Sequence, residues 1–371
     1  MSTVQGAGIY YDSGTNPWNV CEFHFKQLYP DINFNSHTSY TQESVNSFIE
    51  NQHSIKLAAY HVSFPAVDSW VERFDQVYPT VKHSFVFCSE LHESTLTQLT
   101  HVDRPNVTIY INGKINFDTS YATVNTWMDW FYTTAYFYKN KCPDLLDQKL
   151  DYFGNKSKHF DILLGCQRAH RDFIHNYITT NQLQSNVIMT YHKRWNQDLR
   201  LSDQYITEDE GVEYTTPPNH TIQSVKYFDY TMSMSQIVPI KVYNQTCFSL
   251  VAETNAVNNF NFYTEKIVKP ILAKRLFIVV AGQNYLKNLK LFGFKTFDCV
   301  IDESYDQEYD NETRWAKALE QLKYLCNQDP LEVFVQIKDI VQHNQNLMLN
   351  RNWYNDFRQV LLKDIARIIA G

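Results

Sequence analysis

The sequence lacks the short glycine motifs that bind phosphates in the commonest nucleotide-binding folds. Neither G-x-G-x-x-G nor G-x-x-x-x-G-K-[ST] occurs in its 371 residues, so a dinucleotide-binding or P-loop assignment has no support. G-x-S-x-G, the turn that exposes the nucleophile of many hydrolases, is also absent. The sequence contains no Asp-x-Asp either, so it offers no such motif for a metal ion bound to a diphosphate.

Cysteines are few and scattered, and none forms a C-x-x-C pair; the seven are Cys21, Cys88, Cys142, Cys166, Cys247, Cys299 and Cys326. This pattern argues against a zinc site and fits a reduced, cytoplasmic protein with buried thiols. No run of about 18 apolar residues occurs, and no basic segment followed by an apolar one opens the chain. We therefore expect neither a membrane span nor a secretory signal.

The negative charge is concentrated in one part of the chain. Residues 1–150 hold 15 acidic and nine basic side chains, and they account for most of the net charge of −7. An acidic half argues against a large nucleic-acid footprint, although a local basic patch remains compatible with it.

Apolar runs alternate with helix-like stretches along the chain, which predicts an α/β fold with mostly parallel sheets. A break at 140–158 separates two such patterns. We predict two Rossmann-like α/β domains that face a cleft, followed by a helical C-terminal tail. The predicted boundaries are 1–150 for the first domain, 155–345 for the second, and 350–371 for a last helix that packs back toward the first domain.

The second half contains several predicted strands separated by one irregular region. Strands are expected at 160–166 and 185–192, and within the segments FSLVAET, LFIVVAG and FDCVID. The polar region 194–236 reads as a long surface excursion. Polar side chains gather where these strands end and helices begin, which is where open α/β sheets bind their ligands.

Thr264, Glu265 and Lys266 open a predicted helix. The hydroxyl of Thr264 can cap it, and the free N–H groups, the helix dipole and the lysine charge together favour an anion such as phosphate. An ordinary cap beside a solvated lysine explains the same residues. Glu253 ends the preceding strand, where a carboxylate suits a ribose diol, or alternatively a helix cap or a surface ion pair.

Arg168, His170 and Arg171 lie together where another strand passes into a helix. Arginine presents a rigid fork of donors that suits phosphate oxygens. The alternative is a basic first turn paired with surface acids, but cations are unfavourable at a helix N-terminus unless an anion offsets them. In the first half, Glu90 or His92 follows a strand and is a candidate general base, and Asp12 is a similar candidate. Capping and surface roles remain open for all three.

The residues Glu253-Thr254, Tyr263-Thr264-Glu265-Lys266 and Lys269-Pro270-Ile271-Leu272-Ala273 resemble the donor-binding half of two-domain (GT-B) glycosyltransferases. The pattern is most similar to the fucosyltransferase-like and exostosin-like branches and to glycosyltransferases of large phages and viruses. The segments 293–297 and 302–306, and Gly165 with Arg168, His170 and Arg171, resemble the viral and bacterial group. The resemblance covers roughly residues 160–325.

This resemblance implies a metal-independent hexosyl- or pentosyltransferase with a nucleoside diphosphate sugar, UDP- or GDP-linked, as co-substrate and no cofactor. It implies that Arg168, Arg171, Thr264 and Lys266 face the diphosphate. Glu253, Glu265 and Lys269 would face the ribose or the sugar. The implied acceptor is a hydroxyl of a glycan, a protein, a small molecule or a hydroxymethylated base in phage-type DNA. In fucosyltransferases aromatic or leucine residues follow Thr-Glu-Lys, whereas Ile267-Val268-Lys269-Pro270 stand in this sequence, which leaves the donor sugar and base open.

Two other functions fit the same sequence. A catalytically inactive protein of this fold would bind nucleotide sugars or a partner without turnover, and tight binding without donor hydrolysis would identify it. A phosphorylase-like enzyme would use the same cleft, and its activity would depend on phosphate.

Overall fold

The computed structural model describes residues 106–116, 123–165, 167–191, 230–258 and 260–353, and outside these ranges residues 7–11, 35–37, 57–62, 83–88, 212–214, 224–227, 355–357, 359–360 and 363–364. The chain divides into two compact units, one made of residues 1–129 with 352–371 and one of residues 130–351. Among the described residues, no helix combines the length and the apolar character that a membrane crossing needs.

The first unit contains a parallel sheet with the strand order β2-β1-β3-β4-β5-β7. Its strands are β1 (Ala7–Tyr11), β2 (Asn35–His37), β3 (Leu57–Val62), β4 (His83–Cys88), β5 (Val107–Asn112) and β7 (Thr123–Trp127), with the short β6 (Lys114–Ile115) after β5. All six residues of β5 are buried. Both faces of β5 are therefore covered, as is usual for the strands of a parallel sheet.

The C-terminal segment packs on this sheet. The hydroxyl of Tyr110 in β5 donates to the carboxylate of Asp364 at 2.7 Å, and the ring of Phe357 meets the Tyr110 ring edge-on. The described residues between 353 and 364 are helical. Residues 352–371 therefore belong to the same unit as residues 1–129.

The second unit is built around a four-stranded parallel sheet with the order β15-β13-β8-β9. Its strands are β8 (Lys158–Leu163), β9 (Val187–Thr190), β13 (Thr246–Ala252) and β15 (Phe277–Val280). A short strand, β14 (Phe260–Asn261), lies between β13 and β15 in the sequence. Its helices are α1 (Asp129–Asn140), α2 (Leu145–Lys149), α3 (Ala169–Thr180), α4 (Ile240–Tyr243), α5 (Glu265–Leu272), α6 (Tyr285–Leu291), α7 (Asn311–Leu325) and α8 (Pro330–Asn350). The predicted α/β class with parallel sheets and a helical tail is confirmed; that two domains face a cleft stays a prediction.

A buried ion pair ties together the strands that carry the site. Nη2 of Arg275 lies 2.9 Å from Oδ1 of Asp161 in β8, and Nε of Arg275 donates to the hydroxyl of Ser249 in β13. Ser249 in turn donates to Asp161 at 2.7 Å. A buried charge persists when its partners satisfy it in this way. The network fixes β8 against β13, and so fixes the spacing of the turns at their carboxyl ends.

The first helix of the second unit lies before the predicted domain break. Gln236 donates through Nε2 to the hydroxyls of Thr133 and Thr134, and Phe131 meets Phe294 edge-on. α1 therefore packs with the second unit, and the division falls between residues 129 and 130 instead of near 150. Residues 140–158, where the sequence predicts the break, lie within that unit.

Two sequence predictions for the second half are wrong. FDCVID was expected to be a strand, but residues 297–300 form a turn, because Glu303 accepts from the amide of Phe297 and the hydroxyl of Thr296. The region 194–236 was expected to be irregular. Its described residues instead include three antiparallel strands, β10 (Val212–Tyr214), β11 (Ser224–Tyr227) and β12 (Tyr230–Ser233).

Candidate functional site

Two neighbouring strands of the second unit end in the turns that carry the predicted binding residues. The chain runs from β8 outward to β9 and returns to β13 on the other side of β8. A reversal of strand order creates a switch point between β8 and β13, where ligands of open α/β sheets bind. The following helices pack on different partners. Phe173 of α3 contacts Trp315 of α7, whereas Gln345 of α8 donates to the carbonyl of Leu272 in α5.

Thr264 is the N-cap of α5, as the sequence predicts. Its backbone is extended, and its hydroxyl accepts from the amide of Lys266 at 3.2 Å. The same hydroxyl donates to Oε2 of Glu253 at 2.8 Å. Only 2% of Thr264 is exposed, so its side chain is engaged on both sides. The structure thus shows a capping role; a contact between Thr264 and a diphosphate stays a prediction.

Glu253 is the most fully engaged acidic side chain of the site, and none of it is exposed. Oε1 accepts from the hydroxyl of Tyr285 at 2.8 Å and from the amide of Thr264 at 3.4 Å. Oε2 accepts from the Thr264 hydroxyl and from the amide of Thr254 at 3.3 Å. Four donors therefore converge on one carboxylate, at the end of β13.

Burial and the four donors have opposite effects on the charge of Glu253. Desolvation raises the pKa of Glu253; Lys266 opposes this shift and Glu265 adds to it. Because every hydrogen-bond partner of the carboxylate is a donor, the bonds favour the ionised form. Glu253 therefore holds the turn before α5, which is the capping role that the sequence left open, and a contact between Glu253 and a ribose diol stays a prediction.

Lys266 is the exposed cation of this turn. Its Nζ lies 2.7 Å from Oε1 of Glu265 and 3.5 Å from the Thr264 hydroxyl, and 27% of its side chain is exposed. Burial by itself raises the pKa of Glu265, but Lys266 and Lys269 outweigh burial and hold the pKa below its ordinary value. The carboxylate of Glu265 therefore stays ionised beside Lys266.

Lys269 lies one helical turn further along α5. Its Nζ donates to the carbonyl of Ser235 at 2.9 Å. Burial lowers the pKa of Lys269 to about 8, although Glu265 works against this shift. The sequence places Glu265 and Lys269 against the ribose or the sugar. In the structure both are occupied by protein partners, and a direct contact with a donor stays a prediction.

Arg168, His170 and Arg171 follow β8 at the start of α3, and we call this segment the arginine turn. Arg168 is partly buried, and it occupies the N-cap position of α3 with an extended backbone, φ −149° and ψ 154°. Arg171 is only 4% exposed. A Cβ on Gly165 would lie in ordinary contact with Nη1 of Arg171, at 3.4 Å, so the guanidinium lies beside the end of the strand. Arg168 is the more accessible of the two arginines.

His170 joins the arginine turn to the turn before α5. Its Nε2 lies 2.9 Å from the carbonyl oxygen of Glu253, so Nε2 carries a proton and donates. Desolvation lowers the pKa of His170 to about 3, helped by Arg171, Arg168 and Lys266 and opposed by the Glu253 carbonyl. The same three cations that the sequence assigns to the diphosphate thus act on one neutral imidazole. The bonds from His170 to the Glu253 carbonyl and from Thr264 to the Glu253 carboxylate link the two turns that carry these cations.

We expect the neutrality of His170 to make folding stability depend on pH. The pKa of a free histidine is about 6.5, and that of His170 is about 3. Between these values the unfolded chain binds a proton that the folded chain does not, so stability falls as pH falls. From pH 7 to pH 5 the loss through this residue is about 2 kcal/mol.

The measurement is the free energy of unfolding in urea at pH 7 and pH 5, for the natural chain and for His170→Gln. Glutamine keeps a donor for the Glu253 carbonyl but does not titrate, so about 2 kcal/mol of the pH dependence should disappear. Equal pH dependence in the two proteins would show that His170 titrates normally in the folded state.

A third turn contributes a residue that the sequence analysis did not identify. Tyr285 begins α6, the helix after β15, and its hydroxyl donates to Glu253. Asp306 accepts from the amides of Leu286 and Lys287 and so caps α6 from outside the helix. The available signal was the position of Tyr285, at the start of the helix after the neighbouring parallel strand.

The three candidates for a general base, Asp12, Glu90 and His92, lie outside the described residues. A role as general base for each of the three therefore stays a prediction.

No group of three or more histidine, cysteine, aspartate or glutamate side chains within the described ranges is arranged to hold a metal ion.

No protein-family model matches the chain, and a comparison with curated proteins also finds no match. Among solved structures, the chain is similar to the catalytic domain of starch synthase IV from Arabidopsis thaliana bound to ADP and acarbose. The two share 9% sequence identity with a TM-score of 0.41, over 90% of this chain and 79% of that chain. This similarity identifies no site residue.

Proposed function

We propose that this protein is a glycosyltransferase that moves a sugar from a nucleoside diphosphate sugar to a hydroxyl acceptor. One observation carries the proposal: His170, which stands between Arg168 and Arg171 in the sequence, bonds the Glu253 carbonyl at 2.9 Å, and the Glu253 carboxylate bonds Thr264, two residues before Lys266. The turns that carry these cations follow two adjacent parallel strands. Like charges gathered at one place repel one another, and an anion bound among them removes that cost. The resemblance of residues 160–325 to donor-binding domains supports a diphosphate as that anion.

Within this site we assign the direct contacts to the accessible cations. Arg168 offers a planar fork for two phosphate oxygens, and the ammonium of Lys266 is a point charge with part of its surface open. Thr264 and Glu253 hold the turn that presents Lys266. We propose that Glu265 positions Lys266, because it bonds the Lys266 Nζ. The proposed contacts of Glu253, Glu265 and Lys269 with the ribose or the sugar rest on the resemblance.

These groups suit the departure of a diphosphate. In the transfer, the bond from the sugar C1 to the diphosphate oxygen breaks, and the acceptor oxygen bonds to C1 and gives its proton to a base. Negative charge grows on the leaving diphosphate as that bond stretches. Fixed cations at that position contribute several kcal/mol to the transition state. They supply this without a divalent ion, which agrees with the absence of Asp-x-Asp.

The acceptor side rests on the sequence alone. We propose Glu90, His92 or Asp12 of the first unit as the base that takes the proton from the acceptor hydroxyl. The candidate acceptors are a glycan, a protein, a small molecule and a hydroxymethylated base in DNA. An enzyme that acts on a base in duplex DNA would have to reach or flip that base.

The direct test is a thermal-shift panel of UDP, GDP and ADP and their sugars, each with EDTA and with Mg²⁺. A ligand that binds only the folded state raises the melting temperature, so we expect a rise of several degrees with one base, equal in EDTA and Mg²⁺. Hydrolysis of the matching nucleotide sugar then identifies an enzyme. Tight binding without hydrolysis or transfer would support the inactive binding protein, and no shift with any nucleotide would contradict the proposed site.

A further inference from the structure

Glu253 connects three separate turns of the second unit through two different ends of the same residue. Its backbone carbonyl bonds His170 of the arginine turn. Its carboxylate bonds Thr264 of the turn before α5 and Tyr285 of the turn before α6. We propose that His170 and Tyr285 are positioning residues. They hold the arginine turn and the turn before α5, which presents Lys266, at the relative position that binds a diphosphate. The inference rests on the proposed function of the site.

His170 supplies the link on the side of the arginines. It lies between Arg168 and Arg171 in the sequence, so a fixed imidazole also fixes the backbone from which both guanidinium groups extend. Its ring packs 5.9 Å from the ring of Trp315 and is 4% exposed. The hydrogen bond from Nε2 to the Glu253 carbonyl links the first turn of α3 to the end of β13.

Tyr285 supplies the link on the side of Lys266. Its hydroxyl donates to Oε1 of Glu253 at 2.8 Å, and its ring stacks on Tyr263 with centroids 4.4 Å apart. Tyr263 donates through its own hydroxyl to the carbonyl of Tyr285 at 2.9 Å. Tyr263 immediately precedes Thr264, so the two tyrosines connect the turn before α5 to the start of α6, the helix after β15.

An apolar core would hold the same elements together at lower electrostatic cost. The raised pKa of Glu253 shows that its burial is unfavourable to the charged form, and apolar replacements of buried ionic groups are often neutral or stabilising. Directional bonds to one carboxylate achieve something that apolar packing does not: they fix the angle between turns. Diphosphate binding depends on such angles, because bidentate contacts to phosphate oxygens tolerate little displacement.

The experiment measures the dissociation constant of inorganic pyrophosphate by calorimetry in EDTA, because this probe needs no knowledge of the base or the sugar. Tyr285→Phe keeps the ring stack and removes the hydroxyl, and we expect it to weaken binding about fivefold. His170→Leu is expected to weaken binding about tenfold, and His170→Gln, which keeps a donor, to remain within about threefold of the natural chain.

Coupling to Lys266 separates positioning from general stability. In a Lys266→Ala background, Tyr285→Phe should change pyrophosphate affinity less than about twofold, because the group that it positions is gone. Tyr138→Phe is the matched control. Its buried hydroxyl accepts from the amide of Val238, which precedes α4, so its loss should lower the melting temperature without changing pyrophosphate affinity.

The outcomes distinguish the two proposals. If the natural chain binds pyrophosphate and Tyr285→Phe and His170→Leu bind it equally well, the positioning role is wrong while the proposed function stands. The same conclusion follows if Tyr285→Phe weakens binding equally with and without Lys266. If the natural chain binds neither pyrophosphate nor any nucleoside diphosphate, the proposed function fails and the positioning role fails with it.

Discussion

Replacing Arg168 and Lys266 together by alanine is expected to weaken the binding of the preferred nucleoside diphosphate by about 100-fold. Each cation should contribute about tenfold, which corresponds to about 1.4 kcal/mol. Both side chains are partly exposed in the structure, so their removal leaves no buried cavity. The measurement is the dissociation constant of the nucleotide by calorimetry for the two single variants and the double variant, at one fixed salt concentration.

Lys317→Ala provides the control for a general loss of positive charge. Its Nζ lies 2.6 Å from Glu308, much as Lys266 lies 2.7 Å from Glu265, but it belongs to α7 and not to either turn. We expect its nucleotide affinity to stay within about twofold of the natural chain, because Lys317 lies in neither of the two turns. Folding should also be little affected, since an exposed ion pair contributes at most about 1 kcal/mol to stability. If the Arg168 and Lys266 variants also retained full affinity, the diphosphate would bind elsewhere.

Glu253→Ala is expected to lower the free energy of unfolding by about 3 kcal/mol. The change removes the acceptor for the hydroxyls of Thr264 and Tyr285 and for two backbone amides. Buried donors without a partner cost about 1–3 kcal/mol each, and the deleted side chain leaves a cavity. Some of this loss is offset because a costly buried charge disappears. Urea denaturation at pH 7 measures the net effect.

Glu253→Gln is the matched variant. Its side chain fills the same volume and keeps one acceptor oxygen, so we expect a smaller loss, about 1–2 kcal/mol. A loss below about 0.5 kcal/mol for Glu253→Ala would mean that water satisfies the four donors, and that the turn before α5 does not depend on this carboxylate.

The local features of the site could be predicted from sequence because they depend on neighbouring residues. A threonine before Glu265 caps a helix wherever a strand-to-helix turn allows it, and Thr264 does so. The strands β8, β9, β13 and β15 coincide with apolar runs in the sequence, and the apolar residues of α7 and α8 have helical spacing. FDCVID has the same apolar character as these strands, yet it forms a turn. The local pattern did not decide the structure of this segment, because the side chain of Glu303 accepts a hydrogen bond from the Phe297 amide and stabilises the turn.

The longer-range features could not be predicted in the same way. A carboxylate at a strand end is compatible with a diol, a cap or an ion pair, and only the neighbours Tyr285 and Thr264 select among them for Glu253. The neutral state of His170 likewise depends on its burial and on cations from another turn. The position of Tyr285 at the start of a helix is an ambiguous signal in the sequence, because a tyrosine there is as compatible with simple packing as with a hydrogen bond.

The order of residues along the chain determined the α/β pattern, the capped start of α5 and the presence of cations at two strand-to-helix turns, because each of these is decided within about one helical turn of the backbone. The sheet order β15-β13-β8-β9 decided that those two turns are neighbours. Folding also decided which polar groups lost water. That loss of water made Glu253 a buried support of the turn before α5, and it kept His170 neutral among the cations of Arg168, Arg171 and Lys266.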